Sequence, residues 1–164
     1  IVFKRGVDEF VKSFAAAGMD GIIVPDLPVE EAEELLKATR RHGVDLILMV
    51  APTTTPERLK LICKKSRGFL YLVSLLGVTG ARKKLSGSVG PLILNVRRIS
   101  RVPIAVGFGI SSPEHVAKVI SAGANGAIVG SAFVNLIAKH QKNERRMLKE
   151  LDEFGKSLKA ATRR

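Results

Sequence analysis

The sequence predicts an α/β fold in which about five parallel strands alternate with helices, and three observations lead there. Short, nearly continuous apolar runs recur at the spacing of one βα unit. The segments between them carry apolar residues at helical spacing. Several of the runs break on glycine and open directly into the next helix. The chain has 164 residues, 46% of them hydrophobic, which is enough to bury one core, so a single domain over 1–164 is expected.

The elements follow in order. In "VDEFVKSFAAAGMDG" the positions Val7, Phe10, Val11 and Phe14 recur at helical spacing and Gly18 ends the run, so the first element is a helix. Strand "GIIVPD" follows, then helix "VEEAEELLKATRRHG", strand "DLILMV", helix "PERLKLICKKS" and strand "FLYLVS". A helix from about Ser88 to Ser100 leads to strand "PIAVGF", helix "SPEHVAKVISAG" and strand "GAIVG". A helix from Ser131 to His140 and an amphipathic one from about Glu144 to Ala161 complete the chain. Apolar runs with so little alternation belong to strands buried on both faces, as in parallel sheets covered by helices.

A doubly wound sheet and a TIM (β/α)8 barrel share this rhythm, and the chemistry of the loops separates them. Barrels place their sites in the βα loops, commonly with a phosphate held after the seventh and eighth strands. If "PIAVGF" and "GAIVG" are those two strands, the chain is a partial TIM barrel carrying strands four to eight, with three strands expected before it. "GIIVPD" and "GAIVG" then lie at the two ends of an open arc, and their unpaired edges invite self-association.

The case for a phosphate rests on particular atoms. In "GFGISSP", Gly107 and Gly109 allow backbone N–H groups to approach a ligand without a Cβ in the way, and Ser112 followed by Pro113 is a helix N-cap. In "VGSAFV", Gly130 ends a strand and Ser131 starts a helix whose unpaired N–H groups and positive dipole end favour a dianion. A third turn, "LLGVTGAR", follows strand "FLYLVS". One glycine after a strand is usually only a turn, whereas three after successive strands favour an anion site. "GVTGARKKLSGSVG" combines four glycines with a basic, non-periodic run, so Thr79 is expected on a loop that closes over substrate.

Composition excludes other classes. The formal charge of +12 is spread as pairs, such as Arg40 with Arg41, Lys64 with Lys65 and Arg97 with Arg98, with 5% aromatic residues and Tyr71 the only tyrosine. That lacks the stacking platform of nucleic-acid binders, so a solvated basic surface and no nucleic-acid partner are expected. No apolar stretch approaches the roughly 20 residues of a membrane span, and no secretory pattern opens the chain, so no membrane partner and a cytoplasmic location are expected. The lone Cys63 excludes a disulfide framework and is read as packing a helix face. His42, His115 and His140 fall on helices without metal-ligand spacing and are read as surface residues, so no metal is expected. Asp26 ends its strand, where a carboxylate most simply favours the next helix N-terminus. No GxSxG, HExxH, P-loop or CxxC motif is present.

From about Val7 to the C-terminus, "GIIVPDLPVEEAEEL", "VAPTTTPERL", "YLVSLLGVTGAR", "VPIAVGFGISSPEHV" and "GAIVGSAFV" together resemble the tryptophan synthase α chain. The resemblance implies a TIM-barrel lyase that cleaves indole-3-glycerol phosphate to indole and glyceraldehyde 3-phosphate and passes indole to a β chain. It implies no cofactor in this chain, since pyridoxal phosphate belongs to the β chain. Gly80, Phe108, Gly109, Gly130 and Ser131 match the family's phosphate-binding positions. Tyr71 and Thr79 match residues of the indole side and the closing loop, and Met49 matches an apolar position of the indole pocket. Leu75 stands where most relatives carry Arg before the GVTG turn. The family's catalytic Glu and Asp lie N-terminal to this chain, so no catalytic residue is assigned here and the isolated chain is expected to be inactive. The alternative is a non-catalytic phosphate-binding or β-chain-binding module.

Overall fold

The computed structural model describes residues 1–73, 89–107 and 109–163. Its elements are α1 (Val2–Arg5), α2 (Val7–Ala16), β1 (Gly21–Ile23), α3 (Glu33–His42), β2 (Asp45–Ile47), β3 (Met49–Val50), α4 (Pro56–Lys65), β4 (Leu70–Val73), α5 (Val89–Ile99), β5 (Ile104–Gly107), α6 (Pro113–Ser121), β6 (Gly126–Ala127), α7 (Ser131–His140) and α8 (Glu144–Ala160).

Every strand pairing is parallel and runs in chain order, β1 with β2 and then β3-β4-β5-β6. The five expected strand positions are all present, and β1 and β6 stand at the two ends of an incomplete barrel. The expected strand "DLILMV" is broken at Leu48, whose N–H is donated to Ser66 Oγ at 3.2 Å while its carbonyl accepts the Tyr71 N–H at 3.1 Å. With its amide turned toward the end of α4, Leu48 divides the segment between two ladders.

Register explains what each face does. Met49, Tyr71, Ala105 and Gly126 are successive partners across four strands, and so are Val50, Leu72, Val106 and Ala127. Parallel partners share a face. Val50, Leu72 and Val106 are fully buried among the helices, whereas Met49, Tyr71 and Ala105 on the inner face are half-buried. Burial on both faces is therefore not what the strands show, because the inner face of an open arc is covered only in part. The buried cluster joins Val11 of α2, Leu35 of α3, Ile93 of α5 and Val116 of α6 to the strands. Each large apolar side chain there contributes about 1.5 to 3 kcal/mol of transfer free energy.

Helix ends follow local chemistry. Gly18 (φ 82°) and Gly43 (φ 70°) close α2 and α3 in backbone conformations suited to glycine. Thr55 caps α4 by accepting the Arg58 N–H at 3.4 Å, with Pro56 at the first position. α3 starts at Glu33, four residues later than the apolar spacing suggests. Val29 and Ala32 turn into the core there, and Glu30 reaches Arg58 of α4 at 2.8 Å. Arg97 is not part of a solvated surface: it donates to the Gly123 and Val102 carbonyls at 3.2 Å and to Asn125 Oδ1, tying α5 to the entry of β6. Cys63 is half-buried on α4 against the core, and burial pushes its thiol up while a hydrogen bond with Ser100 opposes the shift. Among the described residues no helix is long and apolar enough to cross a membrane.

Candidate functional site

Because all pairings are parallel, the carboxyl ends of the strands open onto one rim, and β5 and β6 each turn there into a helix. At the end of β5, Gly107 lies beside the Tyr71 ring. A Cβ built at Gly107 would collide with the Tyr71 phenol. Glycine at 107 thus leaves room for this ring, which a Cβ would displace. Burial pushes the Tyr71 phenol above its ordinary value. Two residues on, Gly109 has φ 78°, a conformation that costs a residue with a Cβ, and the adjacent Ile110 is buried and anchors the turn.

The two helices that leave this rim begin differently. α6 is capped by its own side chains: Ser112 Oγ accepts the His115 N–H at 3.3 Å, and Pro113 removes one free donor. Glu114 occupies its first turn, held below the ordinary glutamate value first by the Ser112 hydroxyl and then by its own backbone N–H and by His115. α7 starts at Gly130 with no side-chain cap and no acidic residue in its first turn. The Phe133 and Val134 amides return to the Gly130 carbonyl at 2.9 and 3.2 Å, which leaves the Ser131 and Ala132 N–H groups directed outward at the positive end of the helix. Nothing lies within 4 Å of a Cβ built at Gly130. Of the two, α7 has the chemistry of an anion site.

Met49 is on the inner face in register with Tyr71, and it lines a cleft of about 270 Å³ with Asp26, Thr54 and Arg58. Asp26 sits in a turn on that cleft, seven residues before α3, and so does not serve a helix N-terminus. Leu75, Thr79, Gly80 and Phe108 lie outside the described residues. Reading all three histidines as surface residues is corrected. His115 and His140 are buried, at 9% and 8% exposure, and His42 is half-buried. The His115 ring accepts the Ser111 N–H at Nδ1 (3.3 Å), and His140 Nε2 meets Glu150 of α8 at 2.8 Å. His42 reaches Asp8 of α2 at 3.2 Å. The partner of the His115 ring, Ser111, is four residues back in the chain, whereas the partner of His140 lies on another helix. Among the described residues no group of three His, Cys, Asp or Glu side chains could hold a metal.

The family profile described as "Tryptophan synthase alpha chain" matches residues 1–163. The chain belongs to the tryptophan synthase alpha chain family. It is similar to the tryptophan synthase alpha chain of Methanocaldococcus jannaschii, 51% identical over 154 residues that make up 94% of this chain and 54% of that one. It is 48% identical to the Trichormus variabilis alpha chain over 98% of this chain and 59% of the relative. Among solved structures it superposes on a chain of the tryptophan synthase α2β2 complex from Pyrococcus furiosus with a TM-score of 0.86 and 40% identity, covering 97% of this chain and 63% of the other. Tryptophan synthase from Mycobacterium tuberculosis gives 0.87 and 39%, covering 99% and 59%. The chain thus spans less than two thirds of the length of these relatives. The family is one of tryptophan biosynthesis built on the TIM barrel, and its α chain needs no cofactor, pyridoxal phosphate belonging to the β chain.

Proposed function

We propose that this chain is the phosphate- and indole-binding part of an α-type lyase of tryptophan biosynthesis. Its substrate is indole-3-glycerol phosphate, cleaved to indole and glyceraldehyde 3-phosphate, and its partner is a β chain. The observation that supports this most is the pairing, at the ends of adjacent strands β5 and β6, of the left-handed Gly109 turn with the uncapped start of α7. The phosphate takes the N–H groups around Gly109, Gly130 and Ser131, and Gly80 and Phe108 match further phosphate-binding positions of the family. Tyr71 and Met49, partners in register on the inner face, take the indole side, and Thr79 matches the family's closing loop. The chain acts as one domain in the cytoplasm.

The reaction needs one group to protonate and tautomerise the indole ring and another to take the glycerol hydroxyl proton as the C–C bond breaks. Glu30 is engaged with Arg58, and Asp26 follows β1, a different strand end from the one where the family carries its acids, so neither is assigned this work. The chain therefore binds, and the two carboxylates come from strands before β1. Pairing with a fragment that carries them uses the β1 and β6 edges, through which the isolated chain otherwise self-associates.

The test has two arms. Calorimetry with a glycerol-phosphate analogue should show binding that Gly130→Val weakens by about 1 to 3 kcal/mol, through blocked backbone approach and a lost charge-assisted bond. Indole release should stay at background for the chain alone, each missing acid or base being worth roughly a hundred- to ten-thousand-fold, and rise when an N-terminal fragment with both carboxylates is added. Binding without turnover even after complementation would favour the non-catalytic module, and absence of binding would remove the reading.

A further inference from the structure

α7 carries the proposed anion site at its first residues, yet only one of its ten residues is buried. Val134 is 61% exposed and Ile137 42%, and the only fully buried residue of α7 is His140, at its far end. The packing partner of α7 is α8, which in turn lies on α6. α7 is held on α8 near both of its ends. Near the start, the Phe133 and Phe154 rings meet edge to face with centroids 5.0 Å apart. At the end, His140 Nε2 meets Glu150 Oε2 at 2.8 Å. The Glu150 carboxylate is itself held by Arg146 at 3.0 Å and Lys139 at 3.9 Å, and it is drawn below the ordinary glutamate value, first by Arg146. A ten-residue helix is a rod about 15 Å long, so its two ends move together.

We propose that His140, through its bond to Glu150, is a positioning residue for the anion site: it fixes the tilt and rotation of α7, and thereby the direction of the Ser131 and Ala132 N–H groups. The inference rests on the anion site proposed above. A buried imidazole that only filled space would need no carboxylate, and a carboxylate so closely surrounded by cations is an acceptor fixed in place. Phe133 holds the start of the helix on α8, and at its end the buried His140 holds Glu150 at 2.8 Å while the exposed Lys139 approaches only to 3.9 Å, so His140 is the contact that fixes that end.

The probe is inorganic phosphate, titrated into the chain and its variants by calorimetry, with amide NMR of the apo proteins in parallel. His140→Ala should weaken phosphate binding roughly three- to tenfold, the range expected for the loss of one ordinary hydrogen bond's worth of positioning. It should also displace the Ser131 and Ala132 amide resonances while those of Glu114 and His115 on α6 stay in place. His140→Gln, whose amide can still donate to Glu150, should recover most of the affinity. If His140→Ala does not fold, Glu150→Ala removes the acceptor from the more exposed side and should give the same two changes. Unchanged affinity in a folded His140→Ala or Glu150→Ala variant would overturn the proposal. So would losses that disturb α6 and α7 amides alike and that His140→Gln does not repair, since that marks a general packing role. No phosphate binding by the parent chain would instead remove the anion site itself, and this inference with it.

Discussion

The turns after β5 and β6 look alike as sequence, each an apolar run, a glycine and a helix, but they are built in opposite ways. At the first, Gly107 has no room for a Cβ because the Tyr71 ring lies against it, and α6 satisfies its own first turn with Ser112 and Glu114. At the second, Gly130 faces open space and α7 starts with neither a side-chain cap nor an acid. A glycine can be present for the protein or for the ligand, and the surroundings of its missing Cβ tell which.

The same substitution at the two positions should therefore act on different properties, and this is the largest effect expected. Gly107→Val forces the Tyr71 ring from its place and should cost about 1 to 3 kcal/mol of folding free energy, read from the midpoint of urea unfolding. Gly130→Val should leave that midpoint nearly unmoved and act on phosphate affinity instead. A Gly107→Val chain as stable as the parent would break the comparison.

A second change makes α7 resemble α6. Gly130→Asp supplies a capping side chain and a negative charge at the helix start, so it should add a few tenths of a kcal/mol to the fold. It should remove about 1 to 2 kcal/mol of phosphate affinity, because the carboxylate takes the amides and repels the dianion. Opposite signs on stability and binding are the expected outcome, and calorimetry beside thermal melting reads both. The reverse experiment, Ser112→Ala, uncaps α6. It should cost about 1 kcal/mol of stability and leave phosphate affinity unchanged, since that cap serves only the helix.

Much of this was legible in the sequence because it depends on short-range rules. Helix starts at Pro56, Pro113, Ser131 and Glu144, the order of the strands and the two glycine turns all follow from periodicity, caps and glycine placement. What was not legible depends on residues far apart in the chain. The break at Leu48 requires Ser66 to be nearby, and the late start of α3 requires Arg58 to hold Glu30. The burial of His140 requires Glu150 on the next helix, and the need for glycine at 107 requires Tyr71 on the neighbouring strand. Periodicity shows which face is apolar, but only the packed structure shows which polar groups are brought inside.

The smallest effect separates the two helix starts by pH. Glu114 is held below the ordinary glutamate value, with the Ser112 hydroxyl as the largest cause. A carboxylate lowered in the folded state contributes stability that is fully present above its unfolded value and is lost as pH falls through the folded one. α7, with no acid in its first turn, has no such contribution at its start. Carboxyl NMR should show Glu114 titrating below the ordinary range in the parent chain and moving up toward it in Ser112→Ala. Its chemical shift against pH should be unaffected by Gly130→Val, which alters only the other helix. If Glu114 titrates at the same pH with and without the Ser112 hydroxyl, the cap described for α6 is not what holds it. The contrast between the two turns would then rest on Gly107 and Gly130 alone.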